Sequence, residues 1–334
     1  FDEILSSFLV SSEIRKKIKK IKKDSKNFSN KNEIKTMSKL NFELTKDQKK
    51  ALSDINNDIS SKNKMFRLLQ GDVGSGKTIV SLISALNVIE SGYQVAFMAP
   101  TEILAKQHFN LSKKIFPNTI NLEILSSKTE YLKKKIILDK VKNNKINIVF
   151  GTHSLFQKKI LFNNLGYIII DEQHKFGVKQ RKLLSDKGGR NCDVLLMSAT
   201  PIPRTLTMTL YGDMDLSIIR EKPKFRKEIK TYSKLESKIE DVIKFVKKEL
   251  KQDNQIFWVC PLIEESKKID HESVVKKFTY LKKIFPDAVG ILHGKVDQYE
   301  KEKILQDFLN KKYKILVSTT IIEVGIDFPN ANLI

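Results

Sequence analysis

The sequence predicts an α/β protein of two parallel-sheet domains in tandem, the second incomplete. Three observations predict this. Short apolar runs alternate with longer stretches of helical periodicity, the rhythm of a parallel sheet covered by helices on both faces. The rhythm breaks at a charged, proline-containing stretch, residues 222–227, and then restarts. The chain also has 334 residues, more than one hydrophobic core usually serves.

Residues 1–39 are dense in lysine and mostly helical in pattern ("IRKKIKKIKKD"), ending in the polar "NFSNKNE"; they read as the tail of a preceding element. A first domain is expected over 40–222. In "FELTKDQKKALSDINNDIS", Thr45 is the expected N-cap of an amphipathic helix. The strand candidates are "FRLLQ", "QVAFMA", "INLEIL", "INIVF", "GYIIID" and "DVLLMS". A second domain is expected over 223–334. It has strands at "IKTYS", "QIFWVC", "AVGILH", "KILVST" and "ANLI", and helices near 236–251, 273–284 and 299–311.

Composition narrows the class. Apolar residues make up 40% and charged residues 30%, as in a soluble globular chain. No run approaches the ~18 apolar residues of a membrane span, so no membrane partner is expected. The chain begins at Phe1 without a signal-peptide pattern and reads as an excised piece. Cys192 and Cys260 lie in apolar runs far apart and read as buried thiols of a reducing compartment. A net charge of +22 favours a polyanionic partner. A general lysine bias competes with that reading, since only seven of the 61 basic residues are Arg.

Gly71–Thr78, "GDVGSGKT", fits G-x-x-x-x-G-K-[ST] and stands between a strand and a helix. Gly74, Ser75 and Gly76 let the backbone turn its N–H groups inward around phosphate oxygens. Lys77 would reach the β- and γ-phosphates, and the Thr78 hydroxyl would ligate Mg²⁺. "GYIIIDEQHKFGV" supplies the acidic partners: Asp171 for the metal and Glu172 for the attacking water. A nucleotide triphosphate with Mg²⁺ is the expected ligand pair, and hydrolysis the expected chemistry.

Asp171–His174 reads "DEQH" and Ser198–Pro201 reads "SATP", both typical of superfamily 2 helicases. With "FELTKDQ", "LLQGDVGSGKT", "MAPTEILAKQHF", "GTHSLFQ", "YGDMDLSII", "WVCPLIEES", "LHGK" and "TTIIEVGIDFPNA", the chain resembles the bacterial RecG-type branch-migration helicases from about Phe42 onward. The resemblance implies two RecA-like domains, ATP and Mg²⁺, and an ATP-driven motor acting on branched DNA, stalled forks and Holliday junctions, in repair and recombination. It implies a monomer in the cytoplasm, associated with the nucleoid. Residues 1–39 would be a basic linker from a missing N-terminal wedge domain.

Residue by residue, the resemblance assigns Leu44 and Gln48 to adenine recognition, although "LTKDQ" alone reads as a capped helix. His174 would stand by the γ-phosphate as a catalytic residue, coupled to Ser198 and Thr200. Gly325 and Asp327 would face the nucleotide from the second domain. Thr101, Glu102, Gly151, Thr152, His153, His293, Gly294, Thr319 and Thr320 would form a DNA-backbone track. Hydroxyls and amides there would grip phosphates without reading bases. Arg204 in "PIPRTL" falls in a family motif without an assigned duty. Ser126 and Ser127 replace a usual Gly-Ser pair, and Lys175 and Lys295 stand where Arg is common. The resemblance implies a further arginine-rich motif that completes the ATPase site, and no residue here matches it, so this piece is expected to bind ATP, hydrolyse it poorly and separate no strands. Two alternatives stay open: the transcription-repair coupling translocases, which share the P-loop context and "PIPRTL", and a non-catalytic ATP- and DNA-binding module.

Overall fold

The computed structural model describes residues 22–126, 129–156, 160–172, 189–199, 214–223, 229–260, 267–294, 296–319 and 326–334. The chain divides into two compact units, Phe1–Arg226 and Lys227–Ile334.

In the first unit, the described α-helices are α1 (Lys31–Met37), α2 (Lys46–Ser60), α3 (Lys77–Glu90), α4 (Glu102–Ile115) and α5 (Tyr131–Lys142). The strands are β1 (Phe66–Gly71), β2 (Gln94–Met98), β3 (Leu122–Leu125), β4 (Ile148–Gly151), β5 (Leu165–Ile170), β6 (Asp193–Ser198) and β7 (Asp215–Ile219). Among the described residues they form one sheet in the order β3-β4-β2-β5-β6-β1-β7, every pairing parallel.

The four central strands are mostly apolar because both faces are covered, and successive side chains go to opposite sides. Leu69, Val95, Phe97, Tyr167, Ile169, Leu195 and Met197 face a core built with Ile55 and Ile59 of α2 and Val80, Ile83 and Leu86 of α3. Their neighbours Leu68, Ala96, Met98, Ile168, Ile170, Val194 and Leu196 form the opposite cluster. Each fully buried Leu, Ile or Phe here contributes about 1.5–3 kcal/mol. Helix α2 starts where Thr45 caps it: the Gln48 N–H donates to Thr45 Oγ1 (3.3 Å), and the Thr45 N–H donates to Gln48 Oε1 (2.9 Å). The pair forms a capping box.

Ahead of α1, residues 23–29 are not helical, and the rest of the lysine-rich run, residues 14–21, lies outside the described residues. The backbone ahead of α1 instead meets the turn before β1, with Lys22 bridging Asn63 and the Lys23 N–H donating to Lys62 O (3.0 Å). Lys23 and Lys26 are buried. Lys23 Nζ donates to both oxygens of Asp193 (2.7 and 2.6 Å) and to the carbonyls of Asp58 and Ile59. Lys26 Nζ donates to Asp193 Oδ2 (2.7 Å) and Asn191 O, and lies 4.9 Å from the centre of the Tyr93 ring. Asp193 opens β6, so this strap is fastened at the amino-terminal edge of the sheet.

In the second unit, β8 (Gln255–Val259), β9 (Val289–Leu292), β10 (Ile315–Ser318) and β11 (Ala331–Leu333) form a parallel sheet in the order β11-β8-β10-β9. Helices α6 (Ile239–Lys251), α7 (Lys267–Ile284) and α8 (Gln298–Leu309) alternate with these strands. The expected strand at "IKTYS" is irregular; Ile229 and Tyr232 are exposed, so no packing favours an extended pairing there. Cys192 and Cys260 are buried free thiols, as expected.

Candidate nucleotide-binding site

Parallel sheets bind ligands beyond the carboxyl ends of their strands. There β1 runs into the glycine loop. A side chain at Gly71 would lie 2.5 Å from Ser75 Oγ and 3.0 Å from Ile219 O, so only glycine fits as the chain leaves the strand. Gly74 (φ 74°) and Gly76 (φ 92°) are left-handed, the conformation that glycine adopts without strain. Gly76 precedes α3 and offers no side-chain cap, leaving the first amides of a 14-residue helix for an anion. Lys77 Nζ curls back onto its own loop, donating to Gly71 O (2.7 Å) and Asp72 O (3.0 Å). The Ser75 hydroxyl is buried and makes no hydrogen bond among the described residues.

Asp171 and Glu172 leave the end of β5, separated from β1 by β6 alone. The Asp171 backbone donates to Met98 O (2.8 Å). Its carboxylate is held at both oxygens: Oδ1 accepts the Glu172 N–H (3.0 Å), and Oδ2 lies 2.8 Å from His108 Nε2. Glu172 is buried and left-handed (φ 50°), a conformation that costs a non-glycine residue of order 1–3 kcal/mol and marks functional positions. Burial lowers the Lys77 pKa, and the negative charges of Asp171, Glu172 and Asp72 raise it in part. The lysine and the acidic pair therefore share one electrostatic site.

Gln48 joins the nucleotide loop to α2. Its Nε2 donates to Ser75 O (2.7 Å) while Oε1 completes the capping box. An amide has two N–H groups and two lone pairs, so one of each remains for a base edge. Leu44 is buried in the core cluster that α2 helps to build. Among the described residues, no group of three or more His, Cys, Asp and Glu side chains could hold a metal ion.

Comparison with known proteins agrees with this geometry. Residues 45–209 match the DEAD/DEAH box helicase family, and residues 237–334 match the helicase conserved C-terminal domain. An ATP-dependent DNA helicase RecG from Aquifex aeolicus (strain VF5) is 46% identical across 100% of this chain and 42% of its own length. The RecG of Bacillus subtilis (strain 168) is 44% identical over 92% of this chain and 45% of its own length. A solved structure of RecG bound to a three-way DNA junction superposes with a TM-score of 0.87 at 39% identity, covering 99% of this chain and 44% of that one. This chain belongs to the RecG-type superfamily 2 helicases. It spans less than half the length of these relatives. An RNA-bound structure of Mss116p, 21% identical with a TM-score of 0.62, shares the fold.

In the first unit, the residues expected to line a DNA track follow its strands. Thr101 caps α4 after β2, its hydroxyl accepting the Leu104 N–H (3.3 Å), and Glu102 opens that helix. Gly151 ends β4, where a side chain would lie 2.7 Å from Leu125 O, and Thr152 follows it. In the second unit, His293 and Gly294 follow β9, Thr319 follows β10, and Asp327 is exposed ahead of β11. Thr319 is buried and its hydroxyl makes no hydrogen bond among the described residues. His174, Thr200, Arg204, Thr320, Gly325, Ser127, Lys175, Lys295 and the His153 side chain lie outside the described residues.

Sequence reasoning missed His108. Leu104, His108, Ser112 and Ile115 make one buried stripe along α4, and a histidine within such a stripe was the available signal.

Proposed function

We propose that this chain is the motor portion of an ATP-driven DNA translocase that remodels branched DNA, stalled forks and Holliday junctions, in repair and recombination. The proposed motor domains are residues 40–222 and 223–334, with residues 1–39 linking to a wedge domain. The observation that carries the reading is the placement of the glycine loop and Lys77 after β1, and of Asp171 and Glu172 after β5, one strand apart at the carboxyl edge of one sheet. Family membership and the junction-bound relative support branched DNA as the substrate class. The net charge of +22 supports a phosphate-backbone grip independent of sequence.

On this reading Lys77 exchanges the Gly71 and Asp72 carbonyls for the β- and γ-phosphates, while the amides opening α3 receive the phosphate oxygens. Gln48 and the Leu44 segment take the adenine. Glu172 orients the attacking water, His174 reports the γ-phosphate, and Gly325 and Asp327 are the further proposed nucleotide contacts. Thr78 and Asp171 would hold Mg²⁺; bound, it offsets charge on the phosphates. The residues fit it, because each oxygen of Asp171 makes one hydrogen bond and keeps acceptor capacity. A magnesium bound largely through water and phosphate needs no cage of three protein ligands. Thr101, Glu102, Gly151–His153, His293, Gly294, Thr319 and Thr320 would track the DNA backbone. A cytoplasmic, nucleoid-associated monomer suits that substrate. No described helix is long and apolar enough to cross a membrane.

The test is binding of a fluorescent ATP analogue with Mg²⁺, alongside binding to a three-way junction and to linear duplex. Saturable nucleotide binding abolished by Lys77→Ala, and tighter binding to the junction, are expected. Nucleotide binding equal in parent and Lys77→Ala would refute the site, and equal affinity for both DNAs would refute the substrate.

A further inference from the structure

We propose that His108 is a positioning residue for Asp171, fixing the carboxylate in the orientation that receives the metal of the nucleotide. The inference rests on the nucleotide reading above and adds a residue outside the glycine loop and the acidic pair.

His108 lies on the buried stripe of α4, where a polar ring needs a partner to offset its lost hydration. The partner is Asp171 Oδ2, 2.8 Å from Nε2, with both side chains 8% exposed. A carboxylate has no proton to give, so the ring N–H is the donor. The ring is itself confined by Phe97, its centre 4.8 Å from that of the phenyl ring.

At the other oxygen, the Glu172 N–H holds Oδ1. A planar carboxylate held at both oxygens cannot turn without breaking one bond or the other. The second of these bonds comes from the left-handed residue that carries the neighbouring acid. Fixing Asp171 thus also fixes where the Glu172 backbone begins. Groups that hold a metal-binding carboxylate from behind typically contribute 10–100-fold to metal affinity or activity.

The test uses His108→Gln, which keeps an N–H at similar reach, and His108→Phe, which keeps ring volume and loses the donor. Binding of the fluorescent ATP analogue is titrated with Mg²⁺ after chelation, with metal-free binding and thermal melting as controls. His108→Phe is expected to need roughly 10–100-fold more Mg²⁺ for half-maximal effect, with metal-free binding unchanged and His108→Gln close to the parent. If His108→Phe does not melt cooperatively, His108→Asn replaces it, being polar but too short to reach. A parent-like Mg²⁺ midpoint in the donor-less variant overturns the inference. So does His108→Gln failing as badly as His108→Phe, or an equal loss without metal, since either means that the ring only supports the fold. A parent that binds the analogue equally with and without Mg²⁺ overturns the inference alone, and a parent that does not bind it at all overturns the nucleotide reading as well.

Discussion

Asp193→Asn tests the most exacting electrostatic arrangement in the first unit. The substitution keeps the side-chain volume and an acceptor for the Met65 N–H, which now donates to Oδ1 at 2.8 Å, but deletes the charge facing Lys23 and Lys26. All three side chains are fully buried. Removing one partner of a buried ion pair costs about 3–5 kcal/mol, because the remaining charge is uncompensated. Two features limit the cost. Lys23 keeps the Asp58 and Ile59 carbonyls, and Lys26 keeps Asn191 O and the Tyr93 face. A lysine can also shed its proton, which costs about 5 kcal/mol at pH 7.

Burial already lowers the Lys23 pKa, Asp193 opposing the effect. With a lowered folded-state value, the unfolded chain binds the extra proton between that value and 10.5, so stability rises with pH across the window. Losing Asp193 widens the window, and the deficit of the variant shrinks as pH climbs toward 10.5. The assay is urea unfolding followed by circular dichroism. At a slope of about 3 kcal/mol/M, the first unit's midpoint falls by about 1–1.7 M at pH 7. Trp258 is the single tryptophan and lies in β8, so its fluorescence reports the second unit's transition separately. A shift under about 0.3 M, near 1 kcal/mol at that slope, refutes the reasoning.

Two further outcomes are expected. Burial pushes the Cys192 thiol up from 9.0 to about 12, so its unfolded form ionises first and stability falls above pH 9. The parent should lose about 1.4 kcal/mol per pH unit more than Cys192→Ala between pH 9 and 12, and parallel slopes in alkaline urea melts would disprove it. Gly76→Ala forces alanine into a left-handed conformation, costing about 1–2 kcal/mol. It also sets a methyl 2.3 Å from Gln48 Nε2, which must leave Ser75 O. Nucleotide affinity and the unfolding midpoint should both drop, and a parent-like unfolding midpoint would show that the backbone bears no strain at Gly76.

Most strands were legible because central parallel strands are covered on both faces and therefore read as unbroken apolar runs, as "DVLLMS" does in β6. The edge strand β7 was read only as part of a family motif. Its "DLSII" carries Ser217, which accepts from Arg67 Nη1 (2.8 Å) and donates to Asp54 (2.9 Å), so a polar residue sits where a core strand would be apolar. The buried lysines of the strap were illegible for a different reason. A lysine run looks solvated until its carboxylate, 170 positions away for Lys23, is known. The glycine loop and the acidic pair were legible because local spacing sets their backbone geometry. The His108–Asp171 contact joins residues 63 positions apart, and only the packing of α4 against the sheet brings them together.

Helix α4 is a stiff rod with a different task at each place along it. Its cap, Thr101, is the proposed handle for a DNA phosphate; two turns along, about 10 Å away, His108 leans on Asp171. A rod this short does not bend appreciably, so a tug on the cap is felt at the acid. On the proposed reading, grip on the track and readiness for ATP would be geared through a single helix, and slack at either end would be registered at the other.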